Sequence, residues 1–284
     1  MGILFACVAL VAWGIGDFLI QRSVRKFGDL FTLFYITAFS AIVLLPFVLK
    51  DLPTLFLTQD GLSMLLLVSV VLLIAALLDF EALRVGKMSV VEPIYAFELP
   101  IAAMLAAIFL NERMNLLQYI LIGVVVIGIL LVSSKSHGHK RRRLERGVIL
   151  AVLATIAMGA ANFLFGFGAR QTNPLLVNWF TSLFVAIICG AALVWQSRFH
   201  EIMRHLRTSK RFIFPVSFFD NLAWVTYATS MVFIPVGVAT GISESYIVVA
   251  SGLGVVFNRE RLQRHQWVGC ILCVSAVIAL AFVT

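Results

Sequence analysis

The chain has 284 residues, of which 61% are hydrophobic and 13% charged, and its formal net charge is +8. Soluble domains carry about 25% charged residues, so lipid rather than water is the solvent for most of this chain. The basic residues sit in short stretches between apolar runs, with no basic face interleaved with exposed aromatics. This argues against a nucleic-acid partner and makes orientation in a bilayer the use of the charge.

In chain order the apolar runs are roughly 2–20, 30–49, 61–83, 88–110, 116–133, 147–169, 174–195, 212–233, 236–257 and 266–283. A spanning helix needs about 20 apolar residues, because ~1.5 Å per residue must cover ~30 Å of hydrocarbon. The predicted fold is therefore an all-α polytopic membrane protein with ten transmembrane helices, spans 1 to 10. Run 2–20 has no basic segment before it and no small-residue cleavage site after it, so it is expected to stay as the first span. Gln21 to Asp29 is basic, Lys50 to Asp60 holds Pro53, and Gln196 to Arg211 is long enough for a short interfacial helix. The junctions Arg84 to Lys87 and Ile234 to Gly237 are tight, which predicts helical hairpins of spans 3/4 and 8/9. Cys7, Cys189, Cys270 and Cys273 all fall inside spans, where a cysteine behaves as a small apolar filler.

The stretch Ser133 to Arg146, with Lys140-Arg141-Arg142-Arg143, divides the chain nearly in half. Across it the segment Trp13 to Leu19 aligns with Met158 to Leu164, placing Asp17 on Asn162. Arg25 then falls on Arg170, Glu98 on Glu244, and Glu112 with Gln118 on Glu260 with Gln266, the offset drifting only from 145 to 148. This predicts two five-helix repeats, residues 1–134 and 147–284, joined by a basic linker, 135–146. Five is odd, so the second copy must be inverted in the membrane. The charges agree. Alternate loops, beginning with that between spans 1 and 2, carry 19 of the 22 Lys and Arg. Positive loops stay on the cytoplasmic side, which places both termini outside.

A charge in lipid costs about 2.5–3.5 kcal/mol even on a lenient scale, so acids inside spans are the informative residues. They are Asp17, Asp79, Glu92, Glu98, Asp220 and Glu244, and no Lys or Arg lies deep in any span. For Asp17, Asp79 and Glu92 an interfacial ion pair with Arg22, Arg84 or Lys87 is an equal alternative to a site role. Glu98 and Glu244 lie near the midplane at equivalent repeat positions, so a pseudo-two-fold axis could bring them to one central cavity. A carboxyl that gains and loses a proton as its exposure changes suits coupling, and it could also bind a substrate ammonium. Asp220 with Trp224 one turn on suits a cationic or aromatic ligand. Asn162, Tyr95 and Tyr246 complete the candidate substrate or proton site.

Pro93 and Pro100 flank Glu98 and should kink span 4. Gly237, Gly241, Gly252 and Gly254 make span 9 deformable, so Pro93, Pro100, Gly237 and Gly241 are hinge candidates. Close packing is the default meaning of the Gly237-xxx-Gly241 pattern. Glu112 and Glu260 precede spans 5 and 10, where a carboxylate favours the helix N-terminus. All five histidines are assigned to loops, His137 and His139 among them, and no metal or cofactor is expected.

The Trp13 to Phe18 pattern, Ala82-Leu83, Glu98-x-Pro100, and Glu112 followed by Gln118 and Gly128 resemble the EamA-type transporters of the drug/metabolite transporter superfamily. In the second half Glu260, Gln266 and Gly269 resemble the same pattern. Departures are Leu121 where a glycine is common, Leu99 beside Glu98, and Tyr246 where the first copy has Pro100. The resemblance implies a ten-helix inverted-repeat carrier whose central cavity is lined mainly by spans 1, 3, 4, 6, 8 and 9. Its relatives move amino acids, purines, sugars and nucleotide-linked sugars, and many are exporters. The expected function is secondary transport, in the direction of export, of a small amphipathic or amino acid-like metabolite across the plasma (inner) membrane, with proton coupling as a natural driving force. Its partners are a small-molecule substrate and the lipid bilayer, and a homo-oligomer is compatible with the sequence. A translocase for lipid-linked headgroups or sugars is the alternative. A membrane enzyme is disfavoured, because the spans hold no Ser/His or metal-ligand set.

Overall fold

Long runs of Leu, Ala, Phe and Gly with few interior prolines form helix in a non-aqueous solvent, where backbone N–H and C=O groups must satisfy one another. The computed structural model describes residues 1–53, 59–85, 94–95, 97–112, 114–133, 141–246, 248–249 and 263–283. Among these the chain is all-helical: α1 Gly2–Phe27, α2 Asp29–Val48, α3 Gln59–Val85, α4 Glu98–Phe109, α5 Leu116–Ser133, α6 Arg141–Gln171, α7 Pro174–Trp195, α8 His200–Phe233, α9 Val236–Ser243 and α10 Arg264–Val283. Each helix overlaps one of the predicted apolar runs, α4 and α9 covering only part of theirs. Five of the ten, α1, α2, α3, α6 and α7, contain segments long and apolar enough to cross a membrane. The shorter helices α4, α5 and α10 are apolar too.

Turn chemistry sets the boundaries. α1 and α2 are joined by Gly28 alone, at φ 89°, a backbone state that residues with a Cβ rarely adopt. Pro174 opens α7, and Asn173 caps it by accepting the Leu175 N–H at 2.8 Å. The capping expectation for Glu112 is corrected. At the start of α5, Asn115 and Gln118 form a reciprocal box: Asn115 Oδ1 accepts the Gln118 N–H at 2.8 Å, and Gln118 Oε1 accepts the Asn115 N–H at 2.9 Å. At α10, Gln266 Oε1 likewise accepts the Gln263 N–H. The glutamines of the repeat pattern cap these helices. Glu112 instead caps α9, its carboxylate accepting the Val236 N–H at 2.9 Å. Glu260 lies outside the described residues.

The packing joins the two halves of the chain. The most extensive helix pairs are α3 with α6, α1 with α8, α5 with α10 and α2 with α7; α4 packs on α6 and α9, and α1 also on α9. Exchanging α1–α5 for α6–α10 maps this set of pairs onto itself.

The core is asymmetric along the helix axes. At one end, a single apolar cluster joins Ala6, Val48, Ala106, Met231, Ile234 and Val236. Toward the end carrying Arg25, Arg84 and Arg198 the buried apolar residues fall into separate groups, such as Ile20–Phe80–Val216 and Ala82–Tyr95–Ala151. The space between those groups is the cavity described below.

Residues 200–208, where a short separate helix was expected, form the first part of α8, joined to the rest through a break at Ser209 (φ −132°, ψ 17°). Three of the histidines assigned to loops belong to helices, His200 and His205 to this one and His265 to α10. His205 lies between the Phe27 and Phe31 rings and shares a 2.8 Å hydrogen bond with the Tyr35 hydroxyl. Burial, with Arg204 adding to it, holds its imidazole below the usual histidine range. The unfolded chain then binds this proton more readily than the folded one. The contact is thus unaffected above the ordinary pKa of about 6.5 and weakens as pH falls below it. Amide exchange across 200–208, corrected for its intrinsic pH dependence, should quicken from pH 7.5 to 5.5, and a His205→Asn variant should lose that dependence.

Candidate functional site

Helical spacing aims the polar residues inward. Trp13 and Asp17 on α1 are four residues apart and share one face, as do Asp220 and Trp224 on α8. Asn162 on α6, Asp79 on α3, and Glu98, Glu244, Tyr95 and Tyr246 at the ends of α4 and α9 join them. All line one partly enclosed cavity of about 1120 Å³, its mouth included. The structure thus brings every residue of the expected substrate or proton site to one place.

Among the described residues neither Arg22 nor Arg84 makes the expected interfacial ion pair with Asp17 or Asp79, and Lys87 lies outside them. Arg84 pairs with Glu81 at 2.5 Å and Asp29 at 3.5 Å, and the Arg22 guanidinium lies 4.1 Å above the Phe18 ring. Asp17 and Asp79 face the cavity instead. Glu92 lies outside the described residues.

Glu98 and Glu244 both sit where a helix is broken. α4 begins at Glu98, after a turn at Phe97. Glu98 is 7% exposed, and its Oε2 accepts from Asn162 Nδ2 at 3.4 Å. α9 ends at Ser243, with Glu244 as its C-terminal cap and turn residues at 244–245. The two equivalent acids thus meet opposite helix poles: Glu98 an N-terminus, which favours negative charge, and Glu244 a C-terminus, which favours a cation beside it.

The hinge candidates divide differently from the expectation. Pro93 lies outside the described residues. Pro100 falls in the first turn of α4, where its missing N–H has no intrahelical partner to lose, so it starts the helix rather than kinking it. Gly237 is a packing residue: a Cβ there would lie 2.9 Å from the Ala103 Cβ and about as close to Met114. Gly241 is buried within α9 in ordinary contact with Leu99 and Leu280.

At the end opposite the divided core, the chain is tied shut. Asn111, at φ 51°, turns the chain after α4 and carries Glu112 toward α9. Glu112 Oε1 pairs with Arg170 at 2.6 Å, with side chains 9% and 28% exposed. Arg170 also donates to the carbonyls of Met231 at 2.7 Å and Ile234 at 3.0 Å. One ion pair therefore fastens the α4–α5 turn, the end of α6 and the α8–α9 junction. Alongside it, Asn173 Nδ2 donates to Asp51 Oδ2 at 3.1 Å.

The family model for EamA-like transporters matches residues 1–134 and 145–282. The chain belongs to the EamA-like transporter family. An uncharacterised protein of Methanocaldococcus jannaschii, MJ1333.1, is 30% identical over 131 residues, 46% of this chain and 95% of its own length. One protein of known crystal structure matches with a TM-score of 0.73 over 99% of this chain and 95% of its own, at 13% identity, a likeness of fold alone. Membership makes this an integral membrane protein of a transporter family.

In this EamA-like chain the cavity also draws on helices that sequence reasoning passed over. Thr37 on α2, Asn178 and Thr181 on α7, and Asn221 beside Asp220 all line it. An asparagine in an apolar run was the available signal. α6 reaches Glu98 closely because Gly159 lacks a side chain: a Cβ there would lie 2.7 Å from Ile101 and 3.1 Å from the Glu98 carbonyl. Gly159→Val should wedge α6 from α4, costing about 1–3 kcal/mol as other overpacked sites do. Thermal unfolding in detergent checks this, with Gly123→Val, at an open position, as the neutral comparison.

Proposed function

We propose that this protein is a secondary transporter that carries a small amphipathic solute across the membrane by alternating access through the central cavity. The observation that carries the reading is the convergence of Asp17, Asp79, Glu98, Asp220 and Glu244 on one cavity between the two halves of the chain. Ten spans in two inverted five-helix repeats are the architecture that best accounts for it. The exchange symmetry of the helix pairs supports this arrangement, as do the two family matches and a relative about as long as one of them. With basic loops cytoplasmic, the cavity opens inward and the Glu112–Arg170 tie closes the outer face, an arrangement suited to loading solute for export. Glu98 and Glu244, the repeat-related acids at the two helix breaks, couple the cycle by taking up and releasing protons.

The test is untargeted metabolite profiling of medium from cells expressing the protein, against a Glu98→Gln/Glu244→Gln double variant at equal membrane abundance. A compound enriched only with the wild type supports export through this cavity. No enrichment, together with co-purification of a lipid-linked sugar, would replace the solute reading with a headgroup translocase.

A further inference from the structure

We propose that the central cavity is a binding site for an organic cation, with an ammonium group held between Asp17 and Asp220 and its apolar or aromatic body laid against Trp13 and Trp224. The inference rests on the transporter reading above and adds the class of solute.

α1 and α8 pack so closely that a Cβ on Gly16 would lie 3.5 Å from the Asp220 backbone nitrogen. Asp17 and Asp220 consequently lie within electrostatic reach of each other. On each helix the tryptophan is one turn, ~5–6 Å, along the axis from the acid. The two indoles meet edge to face, with centroids 5.3 Å apart and planes at 89°, and the Tyr246 ring lies 6.4 Å from Trp13. A carboxylate pair thus adjoins an aromatic wall, the two elements that hold an ammonium with a ring or alkyl body.

The charge balance points the same way. Among the described residues five carboxylic acids line the cavity, and none of those lining it is Lys, Arg or His. Asp220 and Glu244 are each 8% exposed, and among the described residues neither carboxyl group accepts a hydrogen bond. Buried carboxylates require a counter-charge, and the described residues supply no ion pair to Asp220 or Glu244. A mobile cation or protons must fill that role, so solute and proton compete for the same groups. The cap position of Glu244 at a helix C-terminus adds to the preference for positive charge. An anionic solute would meet like charge from these five acids. The described residues hold no cluster of side chains suited to a metal ion.

The experiment uses the full chain purified in detergent and three ligands of similar size: phenyltrimethylammonium, zwitterionic phenylalanine and anionic phenylpropionate. Quenching of tryptophan fluorescence and calorimetry read the binding. The expected result is at least about tenfold tighter binding of phenyltrimethylammonium than of either other ligand, a gap of ~1.4 kcal/mol. That preference should disappear in Asp17→Asn/Asp220→Asn and survive in Asp29→Asn, outside the cavity. Equal or tighter binding of phenylpropionate by the wild type would overturn the proposal without any variant having to fold. So would an unchanged cation affinity in the double variant. Failure of this assignment leaves the metabolite-profiling result intact, so an incorrect solute class and an incorrect transporter reading are told apart.

Discussion

Transport by a Glu244→Gln variant should fall at least about 100-fold, the equivalent of ~2.7 kcal/mol on the rate-limiting step. Glu244 sits at the C-terminal end of α9, buried and lining the cavity. Glutamine matches its shape and keeps one acceptor, so packing should survive while the exchangeable proton and the charge are lost. Glu98→Gln should be milder, because the amide can still accept from Asn162. Solute counterflow, which needs no net proton movement, is expected to persist in Glu98→Gln when proton-driven accumulation has failed. The check is flux into proteoliposomes with and without an imposed pH gradient, using the solute identified by profiling. Full activity in both single variants and the double variant would remove these glutamates from the cycle.

Glu112→Ala should destabilise the closed end by about 2 kcal/mol, somewhat below the 3–5 kcal/mol seen when fully buried pairs are broken, because Arg170 is partly exposed. It removes the Arg170 counter-charge and the cap on the Val236 N–H together. Glu112→Gln should cost less, since an amide oxygen can still accept from Val236. Exchanging the two residues, Glu112→Arg with Arg170→Glu, should restore the pair but neither the cap nor the donations to Met231 and Ile234. The exchanged protein should therefore stay near the single variant in stability. Unfolding of all four proteins in one detergent gives the comparison, and full recovery on exchange would mean that charge attraction alone holds this end.

Apolar run length is a local property, which is why a helix lies in each of the ten apolar runs. The break before Glu98 was foreseeable from the prolines around it, although Pro100 turned out to start the helix. The partners of Glu112 were not foreseeable. Its position before span 5 suggests a cap there, and only tertiary packing brings α9 and Arg170 to it. The same holds for Arg84, which pairs with Glu81 and Asp29, and for His205, which becomes helical because α8 runs past Ser209. The acids of the cavity were legible because a carboxyl group in an apolar span needs a reason. Thr37, Asn178 and Thr181 were less so, because threonine and asparagine can bond to their own helix, as the Thr181 hydroxyl and Asn178 amide also do.

The most direct test is the sidedness of the cavity. Ser182 lines it, and serine to cysteine changes one atom. In a background with Cys7, Cys189, Cys270 and Cys273 replaced by alanine, Ser182→Cys would be exposed to a membrane-impermeant thiol reagent in right-side-out and inside-out vesicles. Alternating access with the Glu112–Arg170 end closed expects labelling from the cytoplasmic side alone, and labelling from the outside once Glu112→Ala is added. Labelling from neither side in both backgrounds, or from both sides at once in the parent, would contradict a cavity that opens to one face at a time.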